Sequence, residues 1–499
     1  MNFDKIYAGM SESIYELDTD SRLAQVGLKD KQESEKIIKK YEWLYSLETI
    51  NLVRKNLDEA VNLESIKKLR LLYYDLSESY LFRKLARESD EISNYFSNAK
   101  TKIDKEDISF YDLRPAILKS SNFEKREIFN EAEQEIIAHI NDRELLSLEK
   151  EIAIIRKDMC LPDYKNFYEN KKKIDYSFFD NLTNSLYLKV KEIYDKLIPE
   201  WTEEKLNKKY GNLKSCHMAY ALQLSEYSEY FPAGKLVSSF KNTLNNLGLD
   251  LELQKNIHLD LEDRPRKTPR AFCSTPKIPD EIHLVIKANG GIYDYEAFFH
   301  EGGHAEHFAN VYENIPFEYR QLQPSYALTE LYSYLFEDLI RNPDWLRKNL
   351  GLSEVVAKNI SRDMHIAYLY MLMRYLAKFK YEYRLFSGED LASAPVLYSE
   401  TLDKFTGFKY DSRSCFYDLD SGFYSADYLR AWIGQAQMND FLTKHYGDSW
   451  FEKKEAGDFL KQLWGPGSKY DLEEVIEKNG IGDKFDCTSL VEKFKKNLH

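Results

Sequence analysis

Two histidines four residues apart are the strongest chemical signal in the sequence. His300 and His304 lie in the stretch DYEAFFHEGGHAEHF, which spans residues 294–308. An α-helix turns once every 3.6 residues, so both imidazoles would project from one helix face, with Glu301 beside them. Borderline-soft Zn²⁺ binds neutral imidazole nitrogens, and a pair at this spacing can hold one ion. This HExxH motif therefore predicts a metal site; a surface helix with satisfied histidines is the alternative.

Glu301 and the two glycines after it add to this prediction. A carboxylate beside a metal-binding histidine can take a proton from a water molecule that the ion activates. Gly302 and Gly303 each cost about 1 kcal/mol relative to alanine in a helix interior. Two together indicate that another backbone or a substrate passes close to the helix. Asp294, which follows a glycine-containing turn, is predicted as the N-cap.

A catalytic zinc site has three protein ligands and one open position, so a third donor must follow on another element. Residues 325–340 are predicted as a helix on which Glu330, Ser333 and Glu337 share one face. A carboxylate on the inner face of an apolar helix is costly to bury unless it is paired or bound to metal. We therefore predict Glu330 as the third ligand. Ser333, Glu337 and Asp294 are predicted to support the ligands from behind, and a solvent-facing Glu337 is the alternative.

These motifs resemble the zinc site of the thimet oligopeptidase and oligoendopeptidase F family, which are gluzincin metallopeptidases. The resemblance rests on DYEAFFHEGGHAEH and on TELYSYLFE, in which Glu, Ser and Glu stand at offsets 0, 3 and 7. It extends over residues 263–482. It implies one Zn²⁺ per chain, bound by His300, His304 and Glu330, with Glu301 as the catalytic base.

Residues 263–291 differ in composition from the rest, since four prolines break helices there. Short β-type runs at 270–274 and 281–287 predict a small sheet directly before the metal helix. In the family resembled, a strand in this position borders the cleft and pairs with the substrate backbone. The resemblance therefore assigns substrate binding to Arg270, Ala271, Phe272 and Cys273. A structural hairpin with solvent-facing arginines is the alternative.

A second candidate site lies in residues 418–432, DLDSGFYSADYLRAW, where a polar loop leads into a helix. Tyr424 and Tyr428 flank the helix start, near the positive end of its dipole. A phenol O–H can stabilise the oxyanion that forms in peptide hydrolysis, and the family resembled has a tyrosine-rich loop here. Tyr428 and Tyr424 are therefore predicted as catalytic donors. Arg430 could instead bind a substrate carboxylate, which would favour a carboxypeptidase, or be a lone exposed arginine.

The composition indicates an acidic protein without a membrane segment. The chain has 70 basic and 83 acidic residues, a net charge of −13, which argues against nucleic acid or an anionic membrane as partner. No run approaches the roughly 18 apolar residues of a membrane span, and the first residues do not match a signal peptide. Five scattered cysteines are expected to be reduced thiols in a cytoplasm.

The fold is predicted from the distribution of helix breakers. Between Gly27 and Gly211 there is no glycine, and apolar residues recur at helical spacing, which predicts a long run of helices. We predict a mostly α protein with two helical lobes around a deep substrate cleft and a small β-sheet next to the HExxH helix. The lobes are expected at residues 1–210 and 211–499; the second contains the sheet near 265–290, the metal helices at 294–340 and a C-terminal helical cap.

Together these features predict a zinc-dependent metallopeptidase of the oligopeptidase type that hydrolyses short unstructured peptides. A zinc metallocarboxypeptidase on the same scaffold is the first alternative. A catalytically silent helical protein that binds peptides is the second, and Glu301 argues against it because binding alone requires no base. Short peptides are the expected partners, and the chain is expected to be a monomer or a weak homo-oligomer.

Overall fold

The computed structural model describes residues 2–498, and they form two compact units. The first unit contains the chain up to Tyr80, Ser225–Met364 and Arg430–Lys493. The second contains Leu81–Leu224, His365–Leu429 and the residues from Phe494 onward. Each unit is therefore assembled from separate stretches of the sequence. None of the helices in residues 2–498 has the length and apolar character that a membrane span requires.

Helices make up most of the described chain, so the prediction of a mostly α protein is confirmed. In chain order the helices are α1 (Phe3–Gln25), α2 (Ser34–Lys40), α3 (Leu47–Glu59), α4 (Leu63–Asn98), α5 (Phe110–Lys119), α6 (Phe123–Ala138), α7 (Asn141–Asp158), α8 (Tyr164–Lys172), α9 (Tyr176–Leu206), α10 (Ser215–Ala221), α11 (Ala233–Asn246), α12 (Ile292–Ala309), α13 (Phe317–Gln321), α14 (Ala327–Glu337), α15 (Pro343–Trp345), α16 (Glu354–Leu385), α17 (Ala394–Thr406), α18 (Tyr424–Tyr446), α19 (Lys454–Trp464), α20 (Leu472–Lys478) and α21 (Thr488–Leu498).

The glycine-free region contains a β-hairpin between two of its helices. The strands β1 (Lys100–Ile103) and β2 (Glu106–Ser109) pair antiparallel in a hairpin. At its turn Asp104 and Lys105 have positive φ angles of 53° and 72°. Two-residue turns of this kind usually carry glycine or asparagine, so this one left no signal in the sequence. The long run of helices predicted for this region is therefore interrupted by a hairpin that the sequence analysis did not predict.

A three-stranded sheet leads into α12, as predicted. It contains β3 (Ile257–Asp260), β4 (Phe272–Lys277) and β5 (Glu281–Val285) in the order β3-β5-β4, with β3 parallel and β4 antiparallel to β5. Both β4 and β5 pack on α12. The sheet therefore lies next to the HExxH helix, and β4 is an edge strand.

The loop before β4 is tied to the sheet by a buried lysine. The side chain of Lys267 is 0% exposed, and its ammonium donates to the carbonyl oxygens of Asp260, Glu262 and Ile286 at 2.8–3.0 Å. It also pairs with the Asp260 carboxylate at 2.9 Å. A buried ammonium needs such acceptors, because burying a charge without partners is costly. Lys267 thus joins the loop to the ends of β3 and β5.

The helices α12 and α14 form the packing that carries the two motifs. Gly303 faces the backbone of α14, and a Cβ on Gly302 would lie 2.2 Å from Cζ of Phe240. The predicted close approach of another backbone is therefore confirmed at Gly303, whereas the close neighbour of Gly302 is a side chain. The N-cap prediction was wrong: α12 begins at Ile292, and Asp294 lies in its first turn. The Asp294 carboxylate instead turns back to the preceding loop, where it accepts the N–H groups of residues 289 and 290 at 2.5 and 2.8 Å.

Candidate metal centre

The side chains of His300, His304 and Glu330 meet where α12 packs against α14. One possible ligand atom of each lies within 4.8 Å of those of the other two. The Nε2 atom of His300 is 3.2 Å from Oε2 of Glu330, and the Nε2 atom of His304 is 3.8 Å from Oε1. Ligand atoms that surround a tetrahedral zinc ion at its usual bond lengths are about 3.3 Å apart. The three side chains are thus spaced to bind one ion after only small shifts.

Each histidine contacts α14 through its other ring nitrogen. The Nδ1 atom of His300 is 2.8 Å from Oε2 of Glu337, and that of His304 is 2.8 Å from Oγ1 of Thr329. An N–H group at Nδ1 leaves the lone pair of Nε2 free for a metal ion. One helix therefore supplies the third ligand and the partners that orient the other two.

Thr329 is a functional candidate that the sequence analysis missed. Its hydroxyl oxygen also lies 3.4 Å from Nδ1 of His307, a buried residue whose pKa is lowered to about 3 by that burial. A hydroxyl has one proton, so if it accepts from His304 it can donate to the neutral His307. This arrangement is compatible with the His304 tautomer that has a free Nε2. A threonine on an apolar helix carries no sequence signal for such a role.

Glu301 is held by the backbone of β4. Its Oε2 atom accepts a hydrogen bond from the N–H of Cys273 at 2.9 Å. Burial raises the pKa of Glu301 to about 7. A carboxylate with a pKa near neutrality can both take up and release a proton at physiological pH. The geometry therefore fits a general base next to the three converging side chains.

The protonation of the histidines follows from their neighbours. Burial lowers the pKa of His304 to about 4. Burial also opposes protonation of His300, but hydrogen bonds to Glu330 and Glu337 outweigh it and hold its pKa well above the usual value. Without a metal ion, Nε2 of His300 therefore keeps a proton toward Glu330, and a cation bound at Nε2 would take the place of this proton. Two imidazoles and a carboxylate form the ligand set of many catalytic metal sites, so the residues present fit a divalent cation.

The residues predicted to support the ligands have different surroundings. The Ser333 hydroxyl donates to the backbone oxygen of Glu330 at 3.0 Å and lies 3.3 Å from its Oε2 atom. Glu337 is 14% exposed at its side chain and contacts His300, so the solvent-facing alternative is wrong. Asp294 contacts the loop before α12, as described above.

The outward edge of β4 is partly occupied within the protein. The N–H of Cys273 donates to Glu301, and the N–H of Thr275 donates to Asp18 of α1 at 2.7 Å. Phe272 begins the strand, and Arg270 and Ala271 precede it. The predicted contacts of these residues with a substrate stay predictions.

Arg430 is engaged inside the first unit. It is 2% exposed, and its Nε and Nη2 atoms donate to the two carboxylate oxygens of Glu473 at 2.8 and 2.7 Å. Its Nη1 atom donates to Ser325 Oγ at 2.9 Å. The alternative of a lone exposed arginine is therefore wrong, and a contact between Arg430 and a substrate carboxylate stays a prediction.

Tyr424 and Tyr428 lie in the second unit, in the first two turns of α18. Their ring centroids are 4.6 Å apart, and the ring of Tyr428 is 5.3 Å from that of Tyr375. The loop before α18 is held by the hydroxyl of Tyr164, which accepts the N–H of Gly422 at 2.7 Å. The two phenols are thus neighbours on a well-supported helix start, and their catalytic role stays a prediction.

Comparison with known proteins identifies a similar fold among solved structures. No model of a protein family matches this chain, and no curated protein matches it in sequence. Among solved structures, it is similar to a Pyrococcus furiosus carboxypeptidase in an apo-Mg form, with a TM-score of 0.64. The match covers 99% of this chain and 98% of that chain at 15% sequence identity. At this identity the likeness shows the fold, and the two chains share it over nearly their whole lengths.

Proposed function

We propose that this protein is a zinc-dependent metallopeptidase that hydrolyses short unstructured peptides. The observation that carries the proposal is the convergence of His300, His304 and Glu330, with Glu301 beside them. The resemblance of the two motifs to the thimet oligopeptidase and oligoendopeptidase F family supports the same class. The fold shared with a solved carboxypeptidase is consistent with it.

Zinc is the proposed ion because of the ligand types. His300 and His304 offer imidazole nitrogens, which suit Zn²⁺, whereas Mg²⁺ prefers oxygen ligands throughout. When bound, an ion of this kind polarises the carbonyl of the scissile bond and acidifies a water molecule. The open position that three protein ligands leave is where such chemistry takes place.

Glu301 acts as the base and then as the acid. It accepts a proton from the attacking water and passes it to the leaving amine, and its burial favours the uptake by raising its pKa. The hydrogen bond from the Cys273 N–H keeps one carboxylate oxygen in place, so the other is available for the proton. A protein that only binds peptides needs no such base. The presence of Glu301 therefore makes the silent peptide-binding alternative less favoured.

The remaining assignments concern the substrate. Tyr428, with Tyr424, is proposed to donate hydrogen bonds to the oxyanion. The backbone and side chains of Arg270 to Cys273 are proposed to bind the peptide along the edge of β4. The partners are short peptides and not nucleic acid or membranes, and we propose a cytoplasmic monomer or weak homo-oligomer.

A metallocarboxypeptidase on the same scaffold is the second candidate. It is favoured by the solved structure with this fold, which is described as a carboxypeptidase. A carboxypeptidase must recognise the free carboxylate at the end of its substrate, whereas an oligopeptidase need not. The two candidates therefore differ in whether a C-terminally amidated peptide is cut.

The experiment is digestion of a mixed peptide library by the zinc-loaded protein, with the products identified by mass spectrometry. Internal cuts in both free and amidated peptides are expected from an oligopeptidase. Stepwise loss of C-terminal residues from free peptides alone would favour the carboxypeptidase.

A second experiment presents one cleavable sequence both as a free peptide and inside a rigid folded host. The host must unfold, at a cost of about 5–15 kcal/mol, before the sequence can adopt an extended form. Equal cleavage of the free and hosted sequences would contradict the proposed preference for unstructured peptides.

A further inference from the structure

Arg341 lies at the centre of a group of charges behind the candidate metal centre. Its Nη2 atom is 2.6 Å from Oε1 of Glu337 and 2.7 Å from Oε1 of Glu296. Its Nη1 atom is 3.7 Å from Oδ1 of Asp338, which is also 2.6 Å from Nζ of Lys493. Arg341 is 8% exposed, so its charge is compensated mainly by these carboxylates. None of the motifs in the sequence includes it.

This arginine joins the two helices that carry the predicted metal ligands. Glu296 lies on α12, one turn before His300, and Glu337 is the last residue of α14. While Arg341 donates to one carboxylate oxygen of Glu337, the other oxygen is 2.8 Å from Nδ1 of His300. One guanidinium therefore bridges α12 and α14 directly behind a ligand.

The position of Glu337 depends on having a partner at both oxygens. A glutamate side chain has three rotatable bonds, and one hydrogen bond to His300 leaves it free to turn. Glu337 is also only 14% exposed at its side chain, and a poorly solvated carboxylate needs an opposite charge close by, which Arg341 supplies. Without the guanidinium, the Glu337 carboxylate would keep its contact with His300 alone, and its position would be less well fixed.

We propose that Arg341 is a positioning residue for His300. It holds Glu337, and Glu337 in turn fixes the imidazole so that Nε2 faces the metal. This inference rests on the proposed metal site and extends it to a residue that is not itself a predicted ligand. Partners of this kind behind a ligating histidine commonly tune metal affinity.

The test measures zinc affinity in the absence of substrate, by competition with a chromophoric chelator. The wild type is compared with Arg341→Met, Glu337→Gln and the double variant. Each single change should weaken zinc binding about 10–100-fold, as removal of such a partner usually does. Because Arg341 acts through Glu337, the double variant should bind zinc as Glu337→Gln does, since coupled residues are not additive.

Either of two results from this comparison would overturn the proposal. One is wild-type zinc affinity in Arg341→Met, and the other is a double variant whose loss equals the product of the two single losses. If Arg341→Met does not fold, Arg341→Gln replaces it, because it keeps an N–H donor and loses the charge. Weaker zinc binding by that variant supports the proposal, and unchanged binding overturns it.

A matched control separates positioning from general destabilisation. Arg374→Met removes another mostly buried guanidinium, which pairs with Asp418 at 2.6 and 2.7 Å in the second unit. Zinc affinity should be unchanged in Arg374→Met, and an equal loss in both variants would overturn the proposal.

Peptide cleavage is assayed separately. A wild type that binds zinc without cutting peptides overturns only the proposed activity. Normal cutting with unchanged zinc affinity in Arg341→Met overturns only the role of Arg341.

Discussion

A Cβ atom on Gly303 would lie 2.6 Å from Cα of Ser333 and 2.8 Å from the carbonyl oxygen of Tyr332. The helices α12 and α14 therefore approach each other more closely at this point than any side chain would permit. This approach brings Glu330 on one helix within reach of His300 and His304 on the other. The glycine that weakens α12 as an isolated helix is thus what allows its histidines to share a site with a carboxylate of α14.

Replacement of Gly303 by alanine should disturb both stability and metal binding. The added methyl meets backbone atoms that cannot rotate away, and overpacking of this kind typically costs about 1–3 kcal/mol. The higher helix propensity of alanine stabilises the helix by about 1 kcal/mol relative to glycine and offsets part of this cost. We expect lower stability in urea unfolding and weaker zinc binding. Gly234→Ala in α11 is the control, because its Cβ would meet nothing within 4 Å. A Gly303→Ala protein with wild-type stability and zinc affinity would contradict this account of the helix crossing.

Glu301→Gln should retain zinc and lose turnover. The three predicted ligands are unchanged, but an amide cannot accept the proton, and general acid–base catalysis contributes about 10²–10⁴-fold or more. Glu306→Gln is a matched control: Glu306 is buried on the same helix, and burial raises its pKa to about 7 as well. We expect kcat to fall only in the first variant, with full zinc content in both. Near-wild-type cleavage by Glu301→Gln would refute its role as the base.

Tyr428→Phe removes one hydroxyl and almost no volume, so the fold and peptide binding should survive. Loss of one oxyanion donor typically lowers kcat about 10²–10³-fold. Tyr375→Phe makes the same change in the neighbouring ring and should leave kcat nearly unaltered. Steady-state kinetics with a fluorogenic peptide distinguish the possibilities. A change confined to KM would move Tyr428 from catalysis to substrate binding.

Asp418→Asn should lower the free energy of unfolding at neutral pH. It should also make this free energy depend less on pH in the acidic range. Burial disfavours the Asp418 charge, but Arg374 and Lys378 outweigh it and hold the pKa of this carboxyl well below its usual value. A carboxylate with a lowered folded-state pKa stabilises the fold above the unfolded-state pKa of about 4. That stability is lost as the pH falls from there through the lower folded-state pKa.

Urea unfolding of Asp418→Asn and wild type between pH 7 and pH 3 measures this contribution. Removing one partner of a buried ion pair costs about 3–5 kcal/mol at most, and the variant should then lose less stability than the wild type below pH 4. The control is Asp458→Asn, whose ion pair with Lys461 is exposed and is worth less than about 1 kcal/mol. Parallel pH profiles for wild type and Asp418→Asn would show that Asp418 does not titrate differently in the folded protein.

Much of the candidate site follows from local spacing in the sequence. A separation of four residues places His300 and His304 on one helix face, and the spacing of Glu330, Ser333 and Glu337 does the same on α14. The small sheet before α12 was likewise indicated by alternating apolar residues between prolines. These features depend on interactions between residues close in the chain, so composition and periodicity were enough to predict them.

The tertiary structure alone decided the rest. The roles inferred for Thr329 and Arg341, and the hydrogen bond from the Cys273 N–H to Glu301, depend on which elements pack together. The assembly of each compact unit from separate stretches of the sequence also depends on this packing. The hairpin of β1 and β2 could not be predicted either, because its turn contains no glycine. Contacts between residues distant in the chain leave no fixed spacing in the sequence, since any polar side chain at the right point in space can make them. A local pattern can therefore predict the ligands of this site, whereas the residues that hold them in place become visible only in the folded protein.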